Sequence, residues 1–268
     1  MNVSAVLTRT IVKVPEAIGE LVVVAIVVAC FVGLHAILQR RFRSDMLRRH
    51  NDVAGYLFSA VGVLYAVLLG FVVVVVWEKY DATISNVQAE VDAAGDLYHV
   101  VDGYSAPARD KIRAALSSYA RTVIDVEWPA MAANRDVPET GARLLESAAY
   151  QVNSYAPAGQ RGANAQQAAI VDEQRLFDAR RERLIRAEPA VPAILWFALV
   201  AGALAMVAFC YIFGVENKPA QLMMTAMLVG LIAILFVVID EFAGPFSGSV
   251  VISPEGWNFL AARLAEIQ

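Results

Sequence analysis

Few residues in this sequence have the types and spacing that catalysis or metal binding requires. The histidines, His35, His50 and His99, form neither an i, i+4 pair nor an H-x-E set. A phosphate-binding glycine loop, a G-x-S-x-G elbow and a G-x-G-x-x-G fingerprint are also absent. The acidic pair Asp240 and Glu241 ends an apolar segment, where contact with water is the simplest role. The sequence therefore predicts neither an enzyme nor a bound metal or cofactor.

Two other groups of residues are notable for their spacing or their charge. Val63, Val67 and Phe71 are spaced i, i+4, i+8, so they share one face if the segment is helical. Packing against lipid or another helix is the commonest role of such a face, but around a central axis it could form a hydrophobic constriction. The second group is the set of five arginines in the loop 39–52: Arg40, Arg41, Arg43, Arg48 and Arg49. The positive-inside rule predicts a cytoplasmic location for this loop.

The elements that must position these residues are membrane helices. The chain has 268 residues, 58% of them hydrophobic, against about 45–50% in soluble domains. Four segments of at least 18 residues lack Asp, Glu, Lys and Arg, and they are 21–38, 53–77, 190–213 and 221–239. About 20 apolar residues suffice for a helix to cross a bilayer. The fold class is thus an all-α polytopic membrane protein with four transmembrane helices, and the net charge of −4 argues against a nucleic-acid partner.

A helical block is predicted between spans two and three. Apolar stripes at helical spacing run through 84–101 and 112–126, and nothing interrupts the helix between Trp77 and Ile84. Further helices are expected over 139–155 and 174–186, with a loop over 154–166 and four arginines brought to the membrane edge by the last helix. The predicted divisions are 1–77, with an N-terminal segment and spans one and two; 78–189, the helical block; 190–239, spans three and four; and 240–268, the tail. In the tail, Phe246, Val250, Ile252 and Trp257 are available for packing.

Three motifs, in this order, resemble the bestrophin family. LLGFVVVVVWEKYDA (68–82) is similar to the second bestrophin membrane helix, with Leu69-Gly70-Phe71 as its LGF tripeptide. KIRAALSSYARTVI (111–124) and EFAGPFSG (241–248) look like later bestrophin segments. Together with the order of the spans, they identify the chain as similar to bacterial bestrophin-like membrane proteins, over roughly residues 20–260.

The resemblance implies a homopentameric, anion-selective channel whose pore is lined by the second helix. Carried over by position, its hydrophobic neck would be Val63, Val67 and Phe71. The implied partners are the lipid bilayer, copies of the same chain, and small anions such as chloride. Calcium binding is not carried over, because SGSVVISPE (247–255) lacks the acidic cluster that a calcium site needs.

The resemblance also bears on orientation. It implies a bacterial inner-membrane protein with its helical block in the cytoplasm, opposite to what the arginine count of the loop 39–52 indicates. In that orientation the five arginines would lie outside and concentrate anions at a pore mouth.

A second hypothesis comes from a different class of protein. The chain could be a membrane-anchored interaction or sensor module without conduction, in which the apolar stripes of the helical block bind a partner. An exposed stripe would favour this reading, whereas a stripe buried within the chain would weaken it.

Overall fold

The computed structural model describes residues 10–12, 14–41 and 51–266. Its elements, in chain order, are β1 (Thr10–Val12), α1 (Val14–Arg41), α2 (Asn51–Val100), α3 (Ala106–Thr122), α4 (Trp128–Ala132), α5 (Thr140–Ser154), α6 (Gln160–Arg186), α7 (Ala193–Ile212), α8 (Lys218–Ala243), β2 (Val250–Ile252) and α9 (Glu255–Glu266). A 3₁₀ turn (Val101–Gly103) follows α2, and a π-helical turn (Val123–Glu127) joins α3 to α4. The all-α fold predicted from the sequence is confirmed.

The chain divides into two compact units. The membrane unit comprises Lys13–Lys79 and Pro189–Ala243, and the helical unit comprises Met1–Val12, Tyr80–Glu188 and Gly244–Gln268. Four helices are long and apolar enough to cross a bilayer: Ile18–Arg41, Asn51–Gly103, Ala193–Ile212 and Lys218–Ala243. The protein is therefore an integral membrane protein. The helix of the second span continues past Trp77 without a break, as expected from the absence of a stop signal there.

In the membrane unit, α1 packs mainly on α8, and one face of α2 packs on the last two spans. Tyr65, on that face, lies against the backbone of α7 and donates a hydrogen bond to the carbonyl oxygen of Leu199 at 3.1 Å. A Cβ at position 202 would be 2.4 Å from the Tyr65 ring. Gly202 is therefore required for this close approach of α2 to α7.

In the helical unit, α3 packs on α5 and α9, and α5 packs on α6. The predicted stripe on α2 is largely buried, with Val87 at 0%, Val91 at 4% and Tyr98 at 1% exposure. The stripe over 112–126 is also largely buried, since Ile112 and Leu116 are at most 1% exposed, although its last member, Val126, is 38% exposed. Both stripes are thus largely covered within this unit.

The C-terminal tail contributes part of the same core. The Trp257 ring lies edge-on to Tyr119, with centroids 5.4 Å apart, and Phe246 lies 5.1 Å from Trp128. Trp128 Nε1 donates a hydrogen bond to the carbonyl oxygen of Ile252 at 3.2 Å. Ile252 also belongs to β2, whose backbone pairs antiparallel with β1. The packing expected of the aromatic tail residues is confirmed.

The predicted loop over 154–166 is too long, because α6 already begins at Gln160. Gly159 takes a positive φ of 95° and starts the helix, so the break is confined to 155–159. Gln166, inside the expected loop, is helical and donates hydrogen bonds to the carbonyl oxygens of Val152 and Tyr155 at 3.2 and 2.8 Å. It satisfies carbonyls at the end of α5, which composition alone does not reveal.

Candidate pore face and buried ionic cluster

The predicted neck residues lie on an open face of α2. Val63, Val67 and Phe71 are 64%, 52% and 68% exposed in the single chain. Tyr65, Leu69 and Val72, on another face of the same helix, are at most 6% exposed. The helix therefore uses one face for packing within the membrane unit and leaves the face with Val63, Val67 and Phe71 uncovered.

Of the five arginines assigned to a pore mouth, two are described. Arg40 and Arg41 are exposed in the last turn of α1. Arg43, Arg48 and Arg49 lie outside the described residues. Where the loop ends, the Asn51 side chain accepts a hydrogen bond from the backbone N–H of Gly214 at 3.0 Å and donates one to its carbonyl oxygen at 2.9 Å. This residue ties the start of α2 to the loop between α7 and α8.

A buried ionic cluster, which the sequence analysis missed, lies in the helical unit. It is formed by Glu90, Glu127 and Arg183, all 0% exposed. Arg183 donates from Nε and Nη2 to the Glu90 carboxylate at 2.5 and 3.0 Å, and from Nη2 to Glu127 Oε2 at 2.6 Å. Arg180 Nη2 lies 2.8 Å from Glu127 Oε1, and Tyr119 Oη donates to Glu90 Oε1 at 2.5 Å.

Local backbone structure places Glu127 in this cluster. It ends the π-helical turn, just before Pro129 in the first turn of α4. Proline has no backbone N–H to donate to the carbonyl four residues earlier. The wider π-helical turn before it therefore gives up no hydrogen bond that an α-helical turn would have made at this position. A Cβ at position 141 would be 2.0 Å from Glu127 Oε1, so Gly141 leaves the space that this carboxylate fills.

The electrostatics of the cluster follow from burial and pairing. Burial alone would lower the pKa of Arg183, but the adjacent Glu90 carboxylate raises it well above its ordinary value. Burial, and then the same carboxylate, raise the pKa of Tyr119 well above its ordinary value. Arg183 therefore stays charged and Tyr119 stays a hydrogen-bond donor across the physiological range.

The cluster gives one of the four arginines before span three a specific role. Arg183 does not face water, because it is buried and pairs with two carboxylates inside the helical unit. Glu90 was the available signal: it lies on the buried stripe between Val87 and Val91, where an unpaired carboxylate would be costly. Its pairing indicates a structural joint between α2, the π-helical turn and α6.

Within the described ranges, no group of three or more His, Cys, Asp or Glu side chains is placed to hold a metal ion. With an uncovered apolar face in the membrane unit and a fully paired ionic cluster in the helical unit, the fold defines a four-span, all-helical membrane protein. The Bestrophin-like domain model matches residues 25–257. The chain belongs to the Bestrophin-like family.

Solved structures agree with this assignment at the level of the fold. Two variants of a bacterial bestrophin homolog from Klebsiella pneumoniae are 13% and 12% identical, with TM-scores of 0.61 and 0.62; each alignment covers 89% of this chain and 98% or 96% of the homolog. A third structure, described as a membrane protein, is 13% identical with a TM-score of 0.63, and the match covers 88% of this chain and 94% of that one. No curated protein gives a significant sequence match.

Proposed function

We propose that the chain is the subunit of a homopentameric ion channel, selective for small anions, in which α2 lines the pore. The observation that carries the proposal is the uncovered apolar face of α2. A membrane helix that buries one face within its own unit and leaves Phe71 68% exposed has a surface free for a pore or for lipid. Membership of the Bestrophin-like family favours the pore.

In the proposed channel, Val63, Val67 and Phe71 from each subunit form the neck. A narrow apolar ring controls permeation by the cost of keeping water and ions within it. Two of the three ring positions are valines, so Phe71 is the widest side chain and sets the narrowest point. The exposed Arg40 and Arg41, with Arg43, Arg48 and Arg49, raise the local anion concentration at one mouth.

The proposed location is the bacterial inner membrane with the helical unit in the cytoplasm. Labelling tests this orientation separately: a single cysteine introduced in the helical unit should react with an impermeant maleimide only after the cells are opened. Labelling in intact cells would contradict the proposed orientation and would indicate that the five arginines lie on the cytoplasmic side. It would not bear on whether the chain conducts.

The neck assignment is tested by unitary conductance in planar bilayers under a chloride gradient. We expect Phe71→Ala to raise the conductance, because the substitution removes a phenyl ring per subunit from the constriction. Phe197→Ala is the matched control, since Phe197 on α7 is 70% exposed and is not assigned to the pore. A channel whose conductance is the same in wild type and in both variants would reject the neck.

Subunit number is tested by native mass spectrometry of the full-length protein in mild detergent and in nanodiscs. The proposal requires a pentamer, because five copies of α2 must surround the axis. A monomer or dimer in both media would leave no central pore and would overturn the channel proposal. The interaction-module hypothesis has less support, because the apolar stripes that motivated it are largely covered within the helical unit.

A further inference from the structure

A buried polar network lies in the membrane unit, where α1, α7 and α8 meet. His35, on α1, is 1% exposed, and its ring centroid lies 4.7 Å from that of Tyr211 on α7. Its Nδ1 is 2.9 Å from Thr225 Oγ1, and its Nε2 is 3.3 Å from Gln39 Nε2. Gln39 Nε2 also donates to Gln221 Oε1 at 2.9 Å. An ionisable group inside a membrane span is costly and points to a function.

The network determines which imidazole nitrogen carries the proton. Gln221 Nε2 donates to two backbone carbonyls at the end of α7, at 3.2 and 2.6 Å, so its Oε1 faces Gln39 and accepts. Gln39 must then present its amide N–H groups to both neighbours, which makes His35 Nε2 an acceptor. Thr225 Oγ1 donates its proton to the backbone carbonyl oxygen of Gln221 at 3.0 Å, so the same hydroxyl oxygen accepts a hydrogen bond from His35 Nδ1–H. Only the neutral Nδ1–H form satisfies every bond.

Protonation of this histidine cannot be accommodated by turning the amides. A proton on His35 Nε2 would face the N–H groups of Gln39, donor against donor. Rotating the Gln39 amide would bring its oxygen against the oxygen of Gln221. Rotating both would place the Gln221 oxygen against the two carbonyls of α7. A charged imidazolium must therefore lose either the His35–Gln39 bond within α1 or the Gln39–Gln221 bond that joins α1 to α8, and Gln39 Nε2 makes both of them.

Among the described residues, no acidic side chain is hydrogen-bonded to the imidazole. The described residues that share a hydrogen bond or a ring contact with the imidazole are Gln39, Tyr211 and Thr225, and all three are uncharged. The other ionisable groups at this end of the unit, within the part of the chain that the structure describes, are Arg40 and Arg41 of α1, Asp52 of α2, Cys210 and Tyr211 of α7, Glu216 of the following loop, and Lys218 of α8. Lys218, a cation, donates to the Gln39 carbonyl oxygen at 3.4 Å.

We propose that His35 is a proton-sensitive latch. In its neutral form it fastens the C-terminal end of α1 to α7 and α8, and a proton taken up from water releases that end. The released segment leads directly into the arginines that follow α1. The proposal goes beyond ion conduction and stands whether or not the chain conducts.

The protonation state is tested without changing His35 itself. The chain has three histidines, so His50→Gln with His99→Gln leaves His35 alone, and His99 is exposed in the helical unit. ¹⁵N NMR of this variant, labelled at histidine and placed in nanodiscs, should report the neutral Nδ1–H tautomer at about pH 7.5 and imidazolium in acid. An Nε2–H tautomer, or a ring already charged at the higher pH, would overturn the proposal.

The release is tested by hydrogen exchange at residues 35–41, corrected for the intrinsic effect of pH. In the variant that retains His35, the protection of these amides should fall by up to about tenfold for each unit by which the pH is lowered through the titration of the imidazole, since one proton is taken up when the end of α1 is released. Adding His35→Gln should remove this dependence. An equal loss of protection in both proteins, or no loss in either, would refute the latch.

Discussion

Replacement of Arg183 by methionine gives the sharpest test of the buried ionic cluster. The substitution removes the three hydrogen bonds to Glu90 and Glu127, of 2.5, 3.0 and 2.6 Å, and keeps an unbranched side chain of similar length. Glu127 retains Arg180 as a partner, whereas Glu90 retains only the hydroxyl of Tyr119. One buried carboxylate is thereby left without a cation.

The magnitude follows from that unpaired charge. Removing one partner of a buried ion pair costs about 3–5 kcal/mol. We therefore expect a loss of about 3–5 kcal/mol, or roughly 10 °C in the melting temperature.

The assay is thermal unfolding of the full-length protein in detergent, followed by tryptophan fluorescence. Trp128 is a local reporter, since its ring centroid lies 5.6 Å from the Arg183 guanidinium carbon. Arg181→Met is the matched control: Arg181 is 72% exposed on the same helix and pairs with Asp178 at the surface, so its loss should cost less than about 1 kcal/mol. Equal melting temperatures for the two variants would refute the reasoning.

Three further predictions concern single contacts, each measured by the same unfolding assay. Tyr119→Phe should lower the free energy of unfolding by about 1–3 kcal/mol, because it leaves the buried Glu90 carboxylate without one of its hydrogen-bond donors. Tyr104→Phe is the control and should leave stability unchanged, because the Tyr104 hydroxyl has no partner among the described residues. Equal losses of stability in the two variants would contradict this prediction. Gly202→Ala should cost about 1–3 kcal/mol, since its Cβ would be 2.4 Å from the Tyr65 ring, and an unchanged melting temperature would reject that contact. Burial raises the pKa of Glu173, so the folded state holds the proton more tightly than the unfolded state, and stability falls as the pH rises through the raised pKa. Glu173→Gln should reduce this loss of stability with rising pH. A pH profile of stability that is the same in the variant and in the wild type would contradict the prediction.

The spans and the covered stripes were predictable because each is a repeated pattern. Long apolar runs predict membrane helices, and the 3–4 spacing of Val87, Val91, Ala94 and Tyr98 predicts a buried face. The uninterrupted α2 followed from the lack of a stop after Trp77. Patterns of this kind carry information in every turn, so a few exceptions do not hide them.

The ionic cluster and the polar network were not predictable from such patterns. Glu90 and Arg183 are 93 positions apart, and His35 and Thr225 are 190 apart. Nothing local distinguishes Arg183 from the exposed Arg181 beside it. Pairing over such separations is set by how helices pack, and a single sequence does not record that packing.

The order of segments in the helical unit has a consequence for how the protein is made. Its core is assembled from 80–188 and from the tail after Gly244, with Trp257 and Phe246 packed on Tyr119 and Trp128. During synthesis the ribosome completes the first of these segments well before it reaches the second. Until residues 244–268 emerge, the growing chain exposes an aromatic surface that is buried in the folded protein. A ribosome that stops near residue 243 would thus release a chain with all four spans and an unsealed helical unit, a natural substrate for chaperones and proteases.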